Sequence, residues 1–182
     1  MDRFERNINV MSPEERVKLT LHEVETRIKN LNYEEGVIIG RDGNVIHEKR
    51  GEASNVRVSS HELKGKIFTH NHPNGKCGFS VYDVNAFIKS DIYELRTVVA
   101  KGHFFSLKKG NTGVNVDFAQ KFYDEFVDNM RLYANAFKIA RQKILMKKPS
   151  MEQINEEEDN IISGWLEKNA AKYGYIFTKG VI

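Results

Sequence analysis

Two short stretches, Lys66-Ile67-Phe68-Thr69-His70-Asn71-His72-Pro73 and Ser80-Val81-Tyr82-Asp83, hold most of what this chain says about its fold and its chemistry. The first reads as a strand that stops at a proline followed by Asn74-Gly75, residues that end regular structure. The second reads as a helix start, with serine at the N-cap and an acid three residues later. Side chains two apart on a strand share a face, so His70 and His72 turn both imidazoles to the same side. Asp83 follows His72 after ten intervening residues. A loop that folds back from strand end to helix start can bring its carboxylate to the same point.

Outward from this centre, the pattern is α+β. Ser12-Pro13-Glu14-Glu15 predicts a helix start with a capping box, and an apolar stripe through Val17, Leu21, Val24 and Ile28 carries it to about Asn30. Residues 34–39 predict a short apolar strand, Arg41-Asp42-Gly43-Asn44 a turn, and Val45 to Glu48 the returning strand. A weaker alternating segment spans residues 55–58. After Phe79-Ser80, Val84, Phe87 and Ile88 mark one side of a helix. Residues 96–100 and 103–107 form a second hairpin around Gly102.

From about Val116, Phe118, Phe122, Phe126, Met130, Tyr133, Phe137 and Ile144 make a long helical stripe, read as core or as an oligomer face. A break at residues 147–150 precedes another helical stretch around Ile154, Ile161 and Trp165, and residues 174–177 suit a closing strand. The expected organisation is a core over residues 1–114 with its N-terminal helix, and a helical extension over 115–182 packed on or beside it.

Composition narrows the class. The 182 residues are 40% hydrophobic and 29% charged, a globular balance. No apolar run approaches the ~20 residues that cross a bilayer, and the first residues lack the apolar core of a secretory signal. Cys77, the one cysteine, cannot form an internal disulfide, which suits a reducing compartment; the cytoplasm is the expected location. A net charge of +3, with basic and acidic residues interleaved, argues against a charge-driven nucleic-acid binder.

Two imidazoles and a carboxylate suit zinc, and three protein ligands leave a fourth position open, as in catalytic sites. Each fragment has a plainer reading. Ser80 to Asp83 is a good helix cap, and a histidine pair on a strand is more often surface or core than ligand. The combination carries more than its parts. With six histidines in 182 residues, chance gives roughly 0.2 His-x-His pairs, and about 0.01 with aspartate at that fixed later position. His61-Glu62 and His22-Glu23 lack the second histidine of a helical zinc site, one cysteine precludes zinc-finger spacing, and His103 beside Phe104 and Phe105 reads as structural.

Thr69-His70-Asn71-His72-Pro73 with Ser80-Val81-Tyr82-Asp83 resembles the signature of the JAB/MPN (JAMM) zinc metalloprotease family, in wording closest to its RadC-like and phage-associated branches. The resemblance covers about residues 34–107. It implies a cytidine-deaminase-like mixed sheet flanked by helices, one zinc ion on His70, His72 and Asp83, and hydrolysis of a peptide or isopeptide bond. It also implies an upstream glutamate as general acid/base, because one carboxylate must take a proton from the attacking water and give it to the leaving amine.

That glutamate is Glu34 or Glu35; the family's spacing to Gly36 departs here by one residue, and strand alternation favours Glu34, which shares parity with Gly36 and Ile38. Ser80 matches the family's oxyanion donor, with helix capping as its other role. Cys77 is a small filler or an optional soft ligand. The partners implied are a protein or peptide substrate, ubiquitin-like or phage-derived, in the host cytoplasm if the chain is phage-encoded. The other reading is a JAB-fold module that binds protein or DNA, or assembles phage particles, without catalysis.

Overall fold

A computed structural model describes residues 11–52, 56–73, 78–110, 116–143 and 150–182. Helix α1, Pro13–Ile28, starts where its capping box dictates: Ser12 N–H donates to Glu15 Oε2 at 2.8 Å, and Glu15 N–H returns to Ser12 Oγ at 3.2 Å. Its buried positions Leu21, Val24, Glu25 and Ile28 fall on one face. Strands β1, Glu35–Ile39, and β2, Val45–Arg50, form an antiparallel hairpin. Its turn needs glycine at 43 for two reasons: φ is +88°, and a Cβ there would lie 2.8 Å from the Arg16 carbonyl carbon. The turn thereby lies directly on α1, where Thr20 Oγ1 donates to Gly43 O at 2.8 Å.

A single-turn helix α2, Ser60–Leu63, leads into β3, Ile67–His72; α3, Val81–Lys89, crosses to β4, Glu94–Val99, and β5, His103–Lys109, returns from it. Two long helices follow, α4, Val116–Lys143, and α5, Met151–Tyr173, before β6, Tyr175–Val181. The sheet order is β2-β1-β3-β4-β5-β6. The β3/β4 pair is parallel and the others antiparallel, which makes this a mixed sheet in an α+β chain. A parallel pair needs a crossover, and α3 supplies it.

Alternation along the strands divides the core in two. On one face Val37, Ile39, Ile67 and Val98 pack against Leu21, Val24 and Ile28 of α1. On the other, Ile38, Phe68, Leu95 and Leu107 pack against Phe79, Val84 and Phe87. The C-terminal segment enters this same second core: Phe122, Phe126, Ile162, Leu166, Tyr173 and Tyr175 are all buried in it. Its last strand, expected over residues 174–177, runs longer and pairs with β5 along the whole strand from His103 to Lys109.

Of residues 55–58, read as weakly alternating, 56–58 have no regular secondary structure, and residue 55 lies outside the described residues. So do the Asn74-Gly75 turn, Cys77, Ile144 and residues 147–149, together with the side chains of Phe118, Phe137 and Ile154. Among the described residues, no helix is long and apolar enough to cross a membrane.

Candidate metal centre

Strand β3 lies between β1 and β4, and α1 packs on one of its faces and α3 on the other; every residue from Ile67 to His72 is buried. Phe68, His70 and His72 share the face that looks toward α3, while Ile67, Thr69 and Asn71 look toward α1. His70 is set by stacking. Its ring lies 5.4 Å from that of Phe68 at an interplanar angle of 13°. The Phe68 ring fits because Gly36, its diagonal neighbour on β1 and the partner of His70, has no side chain: a Cβ there would come within 2.6 Å of the ring.

Asp83 reaches the histidines from the first turn of α3, and the start of that helix fixes it. Ser80 donates to Asp83 Oδ2 twice, from its N–H at 2.7 Å and from its hydroxyl at 2.6 Å, and Asp83 N–H donates back to Ser80 Oγ at 3.2 Å. The capping box therefore orients the carboxylate. His70 Nε2 lies 3.1 Å from Asp83 Oδ1 and 3.1 Å from His72 Nε2, and His72 Nε2 lies 3.4 Å from Asp83 Oδ2. Burial by itself pushes the Asp83 carboxyl up, but the charge and hydrogen bonds of His70 and His72 outweigh it and hold Asp83 well below the ordinary carboxylate range.

The donor set fits a cation. Ligands about 2.0–2.1 Å from a tetrahedral ion stand about 3.3–3.4 Å apart; the 3.1 Å between the two imidazole nitrogens and the 3.1 Å from His70 Nε2 to Asp83 Oδ1 approach that spacing, with His72 facing the other carboxylate oxygen. One feature opposes it. A cation on His70 Nε2 puts the ring proton on Nδ1, which is buried and has no hydrogen-bond partner among the described residues. That costs about 1–3 kcal/mol, small beside the ~10 kcal/mol or more that an ion gains from a full ligand set.

The residues singled out by sequence divide clearly. His70, His72 and Asp83 come together as a group able to hold a metal ion. Glu34 lines the same cavity of about 480 Å³, with Ser80 and Tyr82 at its edge. Two residues ahead of Gly36, which pairs with His70, Glu34 comes opposite His72 in the continued register. It is only 6% exposed. Glu35 turns to the other face, where it pairs with Arg27 and accepts from Tyr33 Oη at 3.5 Å. The Ser80 hydroxyl is engaged as a donor to Asp83 Oδ2.

Asn71 and Tyr82 stand outside the residues that the sequence singles out. Asn71 is wholly buried, and Tyr82 is 84% exposed at the cavity edge. Strand parity was the available signal for Asn71, since it must face away from its flanking histidines. Comparison of the chain with protein-family models, with curated proteins and with solved structures gives no match.

Proposed function

We propose that this chain is a zinc-dependent hydrolase of the JAB/MPN type that cuts a peptide or isopeptide bond. The observation that carries the proposal is the convergence of His70, His72 and Asp83 in a cavity that also contains Glu34. Two imidazole nitrogens and one carboxylate oxygen are a borderline-soft donor set, which favours zinc over magnesium or calcium. When bound, the ion would lower the pKa of water and polarise a carbonyl.

The chain's own groups would do the rest. Glu34 would take a proton from the attacking water and return it to the leaving amine nitrogen. Ser80 would hold Asp83 in its ligating orientation through the capping box. It could serve an oxyanion only by redirecting the proton it now gives to Asp83. The enclosing walls, with Val56, Val58, Leu63, Phe68 and Leu95 among them, would exclude bulk water.

The test is a panel of peptide and isopeptide substrates offered to zinc-loaded protein. Cleavage lowered about 10²–10⁴-fold in Glu34→Gln and kept in Glu52→Gln is the expected result. A protein that holds zinc yet cleaves nothing on the panel would assign the site to binding or assembly instead.

A further inference from the structure

Asn71 sits between the two histidines but points through the opposite face of the sheet, and it is 0% exposed. Both ends of its side-chain amide bond to main chain: Glu35 N–H donates to Oδ1 at 2.7 Å, and Nδ2 donates to Tyr33 O at 2.9 Å. These are the two residues on either side of Glu34. The ladder between β1 and β3 runs from Ile39 paired with Ile67 to Gly36 paired with His70. Beyond that pair, the Asn71 amide takes the place of the strand's hydrogen bonds. On the other side of the chain, Glu34 N–H donates to Glu52 O at 2.9 Å and Gly51 N–H to Glu34 O at 2.8 Å.

We propose that Asn71 is the positioning residue of this site, gripping the chain on both sides of Glu34 and so fixing that carboxylate relative to His70 and His72. The proposal rests on the reading of Glu34 as general acid/base. The chemistry of the grip is specific: a primary amide offers one acceptor and a donor on one short stem, whereas aspartate lacks the donor and leucine lacks both. Because the same three residues carry the two imidazoles on one face and the grip on the other, β3 moves the metal donors and the acid as one piece. A catalytic group must be held to within a fraction of an ångström, and its supporting contacts decide that.

Amide hydrogen exchange on the full-length, metal-free protein reads the grip directly. In the wild type the Glu35 amide should be as slow as the amides of the sheet interior. In Asn71→Leu it should exchange at least about tenfold faster, while amides of β4 stay unchanged. Asn71→Asp, which keeps the acceptor, should retain slow exchange at Glu35. Zinc affinity should stay within about threefold in both variants, since no ligand is altered.

For any substrate the zinc-loaded protein cleaves, Asn71→Leu should lower kcat at least about tenfold with KM nearly constant, and should cause no further loss in a Glu34→Gln background. Unchanged Glu35 exchange in Asn71→Leu would overturn the proposal, and so would an equal kcat loss in the Glu34→Gln background. If Asn71→Leu does not fold, the wild-type Glu35 amide decides: exchange as fast as in an open loop would overturn the grip. A wild type that neither binds zinc nor hydrolyses, with the exchange pattern intact, would overturn the reading of the site and leave the grip standing.

Discussion

At the scale of single residues, the site depends on side chains that have two duties. Ser80 caps α3 and also donates twice to the carboxylate that would ligate the ion. Ser80→Ala should therefore do more than loosen a helix end. Loss of the cap should cost about 1 kcal/mol in chemical denaturation, and zinc binding should weaken by about tenfold or more in a competitive titration. Ser80→Thr should restore most of both; a variant with weakened folding and unaltered zinc binding would separate the two duties. The convergence of His70, His72 and Asp83 was legible in the sequence because strand parity and a capping signature are local. The division between Glu34 and Glu35 was legible only as a preference of parity. What places them is long-range: Arg27 of α1 takes Glu35, and the hairpin with residues 51 and 52 turns Glu34 to the cavity side.

At the scale of elements, α1 is fixed to the sheet by a buried charge network as well as by its apolar stripe. Arg96 of β4 donates to Glu25 from Nε at 2.6 Å and from Nη2 at 2.9 Å, and to Glu94 from Nη1 at 3.1 Å. Thr69 Oγ1 adds a bond to Glu25 at 3.0 Å, and Ser106 Oγ one to Glu94 at 2.8 Å. Removing one member strands the others in a poorly solvated place. Glu25→Ala should lower unfolding free energy by about 3–5 kcal/mol, whereas Glu25→Met combined with Arg96→Met should come close to wild type. Urea denaturation of the single and double variants checks this; a single variant within 1 kcal/mol of wild type, on the order of a surface substitution, would contradict it. None of this was visible in sequence. Glu25 and Arg96 stand 71 positions apart, and each in its own segment reads as a solvated charge. The hairpin at Asp42-Gly43 and the start of α1 were legible, because their signals lie within four residues.

At the scale of the whole molecule, the C-terminal segment helps to hold the sheet that carries the site. Phe122 of α4 stacks on Tyr173 at 4.6 Å and on Tyr175 at 5.2 Å between ring centroids, and β6 covers the edge of β5. The helices of this segment and its final apolar strand leave local patterns, but a sequence pattern does not say which edge a strand will join. Tyr175 gives this core a dependence on pH. Its hydroxyl donates to Leu166 O at 2.5 Å, and burial, with Tyr173 nearby, raises its pKa above the usual phenol value. A phenol that ionises later when folded contributes its stability below its unfolded value of about 10. That contribution is lost as pH climbs from there toward the folded value. Wild-type stability should thus fall more steeply than that of Tyr175→Phe between about pH 9 and 11; parallel curves would contradict the assignment.

The measurement that bears most directly on the central claim is zinc content and thermal stability of the purified full-length protein, with His72→Ala beside it. One zinc per chain is expected. Free zinc at a hundred times Kd should stabilise the fold by about 2.7 kcal/mol, a rise in Tm of about 5–10 °C for a chain of this size. His72→Ala should bind no zinc at this site and show no rise. A wild-type protein that holds no metal, and whose melting ignores both added zinc and the loss of His72, would contradict the account.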